Sequence, residues 1–439
     1  MIYRMILLFI CLHINFAKAD LLIEITKGVE GALPIAIVPF GLRSKATNVP
    51  FNVSEIISAD LSRSGRFKPL ASTDMLSQPT RNEDIDFRDW RALNVENLVI
   101  GEIDSDRPNG FLINFRLYDV YKGEQITGFS IPTTAQDFRS AAHQISDIIY
   151  ETLLGEPGAF NTRIAYITSK RKRIGTDTDG TGLFSEKVDL RIADADGFSP
   201  QTIVSSEEPL MSPAWSPDGQ KIAYVSFERN QPSIWVQELE TGRRERITSY
   251  KGINGAPAWS PDGQQLAFTL SKDGNPDIYV MNIKRRTLRP LTRHSAIDTE
   301  PAWSPDGKTI IFTSDRGGTP QIYKIDVGGG RPERITFDGK YNARASFASN
   351  GKKLTMVSQQ YSDYRVIILD TKDNQVRVLS DGELDESPSF APNGSMIIYA
   401  SRINGKGVLA AVSTDGNVRQ RLILQEGDVR EPAWSPYQQ

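Results

Sequence analysis

Apolar and polar positions along the chain follow two different regimes. From residue 160 onward the pattern is a repeat. Pro213-Ala214-Trp215-Ser216-Pro217-Asp218-Gly219 returns as Pro257–Gly263 and Pro301–Gly307, and in weaker form at Ala345–Gly351 and Pro388–Gly394. A truncated copy, Pro432-Ala433-Trp434-Ser435-Pro436-Tyr437, stands at the end. The aromatic anchors Trp215, Trp259, Trp303, Phe347, Phe390 and Trp434 lie 44, 44, 44, 43 and 44 residues apart. Each unit reads as four short strands. Strand a ends on the anchor, a Ser-Pro-Asp-Gly turn follows, and strands b, c and d come next, as in Ile222–Val225, Ile234–Val236 and Arg246–Thr248. In the turn, Pro presets φ, Asp bonds the nearby backbone and Gly takes a positive φ. Four strands in about 44 residues is the period of a propeller blade.

The ends of the array set the blade count. The last copy has only a strand a. Ahead of the first full copy, Arg163–Ile167, Val188–Ile192 and Ser199–Val204 match b, c and d. The chain is therefore expected to be mainly β, with a six-bladed β-propeller over 160–439 preceded by a small α/β domain. One blade combines Glu431–Ser435 with 163–204, which closes the ring and leaves no open edge. An open solenoid is the alternative use of such a repeat. The anchors read as core residues between blades.

Residues 20–158 lack the repeat. Ile35–Phe40 reads as a buried strand, Val53–Phe67 as a helix with Ile56, Ile57, Leu61 and Ser64 on one face, and Leu98–Ile103 as a second strand. Leu112–Val120 and Gln125–Ile131 pattern as a hairpin. Phe138, Ala142, Ile145, Ile149 and Leu153 mark a helix over Thr134–Leu154, which Gly155-Glu156-Pro157-Gly158 ends. The first residues, Asp20-Leu21-Leu22-Ile23-Glu24-Ile25-Thr26, form a strand-like segment at a free terminus, with Lys27–Gly31 as a hinge. Such a strand pairs within its own sheet or is offered to a partner.

Met5–Phe16 is an apolar run between Arg4 and Ala17-Lys18-Ala19. It is short for a membrane span, which needs about 20 residues. It reads as a signal peptide, 1–19, with Asp20 the first mature residue. Cys11, the chain's one cysteine, falls inside it. Export without disulfides points to a bacterial periplasm. Arg4 and Lys18 leave with the signal, taking the formal charge from −3 to −5, which is no nucleic-acid signature.

The search for chemistry finds no nucleophile elbow, P-loop or zincin motif. His143 reads as solvated and His294 as a surface loop residue. Asp177-Thr178-Asp179-Gly180 lacks the Glu of a calcium loop. No catalytic residue, metal site or cofactor is expected. The long b–c connection Ser169–Lys187 carries Lys170-Arg171-Lys172-Arg173. It is either a solvated charge run, or a contact with an anionic partner or the N-terminal domain. Propellers bind at the channel mouth, so the residues entering the a-strands are the candidate site: Leu210, Met211, Asn254, Gly255, Thr299, Glu300, Arg344, Asp385, Glu386, Arg430 and Glu431. They vary between repeats while the anchors stay constant. A peptidase-gating propeller would need a Ser-Asp-His domain that is absent here. A sugar- or small-ligand-binding propeller is the other alternative.

Taken together, the leader, the short α/β domain and six Pro-Ala-Trp-Ser-Pro-Asp-Gly units resemble the TolB family, the periplasmic propeller proteins of the Tol–Pal envelope system. Ile35–Phe40, Arg163–Tyr166, Pro209–Trp215, Asn254–Pro257, Thr299–Pro301 and Pro432–Pro436 carry the resemblance. It implies a non-enzymatic monomeric scaffold that touches the outer membrane only through partners. The mouth would bind the lipoprotein Pal. The terminal segment, Asp20, Leu21, Leu22, Ile23, Glu24 and Ile25 within 20–31, would bind TolA, the two events being coupled. Ile253 stands where some members carry a histidine that contacts Pal.

Overall fold

The computed structural model describes residues 23–27, 31–43, 49–107, 110–176, 182–422 and 427–438. The expected signal peptide, the segment Asp20–Leu22 and the Asp177–Gly180 turn lie outside these residues.

Strand β1 (Ile23–Lys27) precedes the N-terminal domain. That domain is built on β2 (Leu33–Ile37), β3 (Gly41–Leu42), β4 (Phe67–Pro69), β5 (Asn97–Arg107), β6 (Gly110–Asp119) and β7 (Glu124–Thr134). The sheet order is β4-β2-β5-β6-β7, with β3 also on β5. Strand β2 runs parallel to β4 and β5, and the β5-β6-β7 part is antiparallel. Successive side chains of a strand point to opposite faces, so β2 feeds two cores. Ile35 and Ile37 pack with Ile57 and Leu61 of α1 (Val53–Arg63) and Ile145 and Ile149 of α3 (Phe138–Leu154). Ala36 and Val38 pack with Trp90 of α2 (Phe87–Ala92) on the other side.

Two helix boundaries differ from the sequence reading. Helix α1 stops at Arg63 because Gly65 turns to φ +68 and Phe67 begins β4. Helix α3 starts at Phe138, since Thr134 still belongs to β7 and its hydroxyl accepts the Asp137 N–H at 3.2 Å. Helix α2 is too short to show periodicity. Its one local signal is Asp86, whose carboxylate accepts the Arg88 N–H at 3.0 Å as an N-cap.

The remaining chain forms six antiparallel sheets, as the strand count predicts. Blade 1 comprises Arg163–Thr176, Gly182–Asp194 and Gln201–Ser206, with Asp428–Trp434 as its inner strand a. Blades 2 to 6 begin with strands a at Leu210–Trp215, Asn254–Trp259, Asp298–Trp303, Asn342–Phe347 and Asp385–Phe390. The ring closes through Trp434↔Ile164 pairing and through Arg163 N–H, which donates to Ser435 Oγ at 2.9 Å.

Each repeated residue has a repeated bond. In the first turn Gly219 sits at φ +68, Gln220 N–H donates to Asp218 Oδ1 at 3.0 Å, and Lys221 N–H donates to Ser216 Oγ at 2.8 Å. The tryptophan anchors lie between blades, and three of the four indole N–H groups also reach across, while Trp434 donates to Thr162 Oγ1 at 2.9 Å. Trp215 donates to Ala433 O at 3.0 Å, Trp259 to Ala214 O at 3.2 Å and Trp303 to Ala258 O at 3.0 Å. Strands d lie earlier in the chain than expected and end at Arg246, Pro290 and Arg334. The next residues leave the ladder because a side chain takes over. Thr248, Thr292 and Thr336 Oγ1 accept the N–H of the second residue of strand c, Ile234, Ile278 and Ile322, at 3.1, 2.9 and 2.9 Å.

The N-terminal domain sits on the a–b and c–d turns of blades 6 and 1, at the end of the channel opposite the strand a entrances. Asn393 donates to Pro157 O at 3.0 Å. Gly65 lies so close to Val418 that any side chain there would overlap it. Strand β1 crosses to the propeller and pairs antiparallel with Arg419–Leu422, making blade 6 five-stranded.

Candidate functional site

The mouth is built from three successive residues near the start of each strand a, five, four and three positions before its aromatic anchor, and the three rows have different roles. The first row, Leu210, Asn254, Asp298, Asn342, Asp385 and Val429, is buried. Its polar members brace their own blades. Asn254 Nδ2 donates to Tyr250 O at 2.7 Å and its Oδ1 accepts the Tyr250 N–H at 3.1 Å. Asp298 holds Arg316 at 2.6 Å, and Asp385 accepts the Gly382 N–H at 3.0 Å. Burial raises the Asp385 carboxyl above the usual range. Leu210, Asn254 and Asp385 therefore support the entrance without presenting side chains to it.

The second row holds Met211, Gly255, Thr299, Ala343, Glu386 and Arg430. Met211 is exposed at the channel, and Gly255 and Thr299 line it. The third row is a ring of left-handed residues: Ser212, Ala256, Glu300, Arg344, Ser387 and Glu431, with φ of +52, +48, +54, +54, +55 and +49. Each sits at a register shift, between paired residues such as Gly255 and Ala258. A bulge at one level in all six blades turns these residues to the free inner edge of strand a.

Three ring members interact across the channel. Arg344 Nη2 lies 3.0 Å from Glu431 Oε2 and its Nε 3.5 Å from Glu300 Oε1. The two carboxylates also cap the next blade. Glu431 Oε2 accepts the Ser212 N–H at 2.7 Å, and Glu300 Oε2 accepts the Arg344 N–H at 3.0 Å. Burial works against the Arg344 charge, but Glu431 and Glu300 outweigh it and raise its pKa further. The cavity above this triad encloses about 770 Å³ and is lined mostly by apolar atoms. Around it the d–a and b–c connections expose Tyr250, Ile253, Ile297, Phe337 and Tyr361, the last two at 72% and 100%. Ile253 is part of this rim.

Sequence reasoning named Glu300, Arg344 and Glu431 but missed Ser212, Ala256 and Ser387. The signal was present, because all six stand three residues before an aromatic anchor. Apart from Ile253 it missed the apolar rim, because single hydrophobic residues in unrelated loops carry no pattern until the ring gathers them.

His143 is a correction. It is buried, not solvated. Its Nδ1 is 2.7 Å from Asp60 Oδ2, and its Nε2 is 3.9 Å from Asp196 of blade 1. The propeller covers a helix face that reads as polar in isolation. Asp60, His143 and Asp196 bring possible ligand atoms within 4.8 Å of one another. However, Arg63 holds Asp60 at 2.8 Å, and Arg139 pairs with Asp196 and with Asp194 at 3.4 Å. These guanidinium groups already balance the carboxylates, so the cluster is an ion-paired domain contact. Of the Ser169–Lys187 connection, residues 169–176 and 182–187 continue strands b and c of blade 1. This extension rises on the mouth face and so points away from the N-terminal domain.

Comparison with known proteins gives concordant matches over both regions. Residues 21–126 match the model of the TolB amino-terminal domain and residues 150–438 that of the TolB beta propeller domain. The chain is 53% identical over 422 residues to a Tol-Pal system protein TolB of Xanthomonas oryzae pv. oryzae, covering 96% of this chain and 94% of the relative. Identity to the protein of that name from Xanthomonas campestris pv. campestris is also 53% over the same shares. A crystal structure of TolB from Acinetobacter baumannii superposes with a TM-score of 0.84 at 43% identity, covering 95% of this chain and all of that one.

Proposed function

The chain belongs to the TolB family, and on that premise we propose that it is a non-enzymatic periplasmic scaffold of the Tol–Pal system. Its mouth binds the lipoprotein Pal, and its terminal segment, Asp20 to Gly31, binds TolA. It thereby serves outer-membrane integrity and constriction at cell division. The observation that carries this reading is the mouth face itself. Apolar side chains from four connections surround a channel whose centre is an ion-paired plug. Large exposed apolar groups gathered on one face mark a protein-docking surface. Of the candidate residues, Met211, Gly255, Thr299, Glu300, Arg344, Glu386, Arg430 and Glu431 supply that face.

The TolA side rests on β1. This strand is a fifth strand on blade 6, held by backbone pairing from Ile23↔Leu422 to Lys27↔Arg419. A partner can add to its free edge or take it from blade 6. Blade 6 also contributes Glu386 to the mouth, so a ligand there that prefers one position of β1 shifts the docked population. Calorimetry with the soluble domain of Pal tests the mouth. Glu300→Lys places two cations side by side and removes the cap on Arg344 N–H, so affinity should fall at least about 10-fold. Unchanged affinity would move the site elsewhere.

A further inference from the structure

Strands b and c of blade 1 outrun their counterparts. They pair from Arg163↔Asp194 out to Thr176↔Gly182, whereas those of blade 2 end at Ser226↔Ser233. The excess is a two-stranded ribbon standing at the rim of the mouth. Lys170, Arg171, Lys172, Arg173 and Lys187 are all exposed on it. Over residues 169–187 these five cations stand against Asp177, Asp179 and Glu186, in a chain whose formal charge is −3.

The arrangement of these cations separates the ribbon from a solvated charge run. Lys170 pairs directly with Lys187, and Lys172 with Ser185, so three ammonium groups share one face. Like charges directly opposite each other weaken a strand pair; Lys187 Nζ lies 3.5 Å from Asp189 Oδ1, and a bound anion would add a further counter-charge to this face. The same face, with Ser205 and Ser206 of strand d and Glu207 just beyond it, lines a groove of about 770 Å³ in which the lysines outnumber the one carboxylate. On the other face Arg171 stacks over Phe184 at 3.9 Å. At the foot of the ribbon Arg430 lies 3.9 Å from Glu186 and 3.2 Å from Asp428, which joins the ribbon to the mouth.

The channel centre has the opposite charge balance, with Glu300, Glu386 and Glu431 against Arg344 and Arg430. A protein arriving at this end meets an acidic centre and a basic arm on one side. We propose that the lysine face of the blade 1 ribbon receives an acidic segment of the protein that docks on the mouth, steering its approach and fixing its rotation about the channel axis. This rests on the reading of the mouth as a docking face. An anionic membrane suits the ribbon less well, because the lysine face and its groove lie along the side of the ribbon, toward strand d.

The test is the association of the full mature chain with the soluble domain of Pal, followed by stopped-flow at low and high salt. Steering acts on the on-rate and is screened by salt. Lys170→Glu/Lys172→Glu should slow association about 10-fold at low salt, flatten its salt dependence and leave the off-rate within about 2-fold. The Gln pair at the same positions should give an intermediate on-rate with an unchanged melting temperature, which excludes misfolding. An on-rate and salt slope equal to wild type would overturn the arm alone. So would a loss confined to anionic vesicle binding with Pal association intact. No binding by the wild type would overturn the arm and the docking face together.

Discussion

Trp303 illustrates what one residue contributes to this ring. Its ring fills the space between neighbouring blades, and its N–H satisfies the Ala258 carbonyl at 3.0 Å. Trp303→Phe keeps most of the apolar packing and leaves that carbonyl without its donor. The expected cost is about 1 kcal/mol, the worth of one net hydrogen bond, read as a shift in the urea midpoint at constant slope. Phe347 and Phe390 hold the equivalent places, so phenylalanine is compatible with the position. Arg344 is the contrasting case. It is partly open to the channel, and its two carboxylates are also backbone caps. Here the position alone was legible in the sequence. That the side chain spans from one blade to another two positions round the ring was not, because ion pairing between residues 87 apart depends on ring closure.

Among the elements, the two termini of the described chain carry different mechanical loads. Strand Asp428–Trp434 is the inner strand of blade 1, and its loss would leave Arg163–Thr176 with a bare inner edge. Strand β1 is a fifth strand on a blade that is complete without it. Deleting Val429–Gln439 should therefore destroy cooperative unfolding. Deleting Asp20–Lys27 should lower the melting temperature by only a few degrees, about what 1 kcal/mol produces in a domain this size. Circular dichroism melts of both truncations check this, and a cooperative melt of the first would refute the closure argument. The C-terminal strand was legible because the lone strand a at one end supplies the quarter-blade missing from strands b, c and d at the other. The docking of β1 was not, since a five-residue strand fits any open edge and the sequence does not say which edge is near.

For the whole molecule, the contact between domains depends on protonation. His143 is surrounded by Asp60 and Arg63 of α1, Arg139 and Asp147 of α3, and Asp194 and Asp196 of blade 1. Burial works against its charge, but Asp60 and Asp196 outweigh it, so its pKa lies above 6.5. A raised pKa gives stability that is complete below 6.5 and is lost as pH rises through the folded value. Burial also pushes the Asp147 carboxyl up to about 6, against the bonds it accepts from Phe160 and Asn161 N–H. Its contribution therefore declines from pH 3.8 to about 6. Above 6.5 the histidine remains, so the melting temperature should fall as pH rises from there. His143→Gln should flatten that dependence while lowering stability at pH 6.5. An equally steep fall in the variant would assign the effect to another group.

The sequence by itself determined the parts whose causes are local and repeated. Anchor spacing and turn chemistry specify blade length and strand order, because each is enforced within about 44 residues, and the complementary part-blades at the two ends specify closure. The helix faces of the N-terminal domain are legible for the same reason. Only the tertiary structure decided how distant segments share space. It buried His143 under a second domain, placed β1 on blade 6 and separated Leu210, Asn254 and Asp385, which brace the entrance, from Glu300, Arg344 and Glu431, which face the channel. A repeat specifies a blade's internal pairing. Which atoms are left facing the centre follows from six bulges brought to one level when the ring closes.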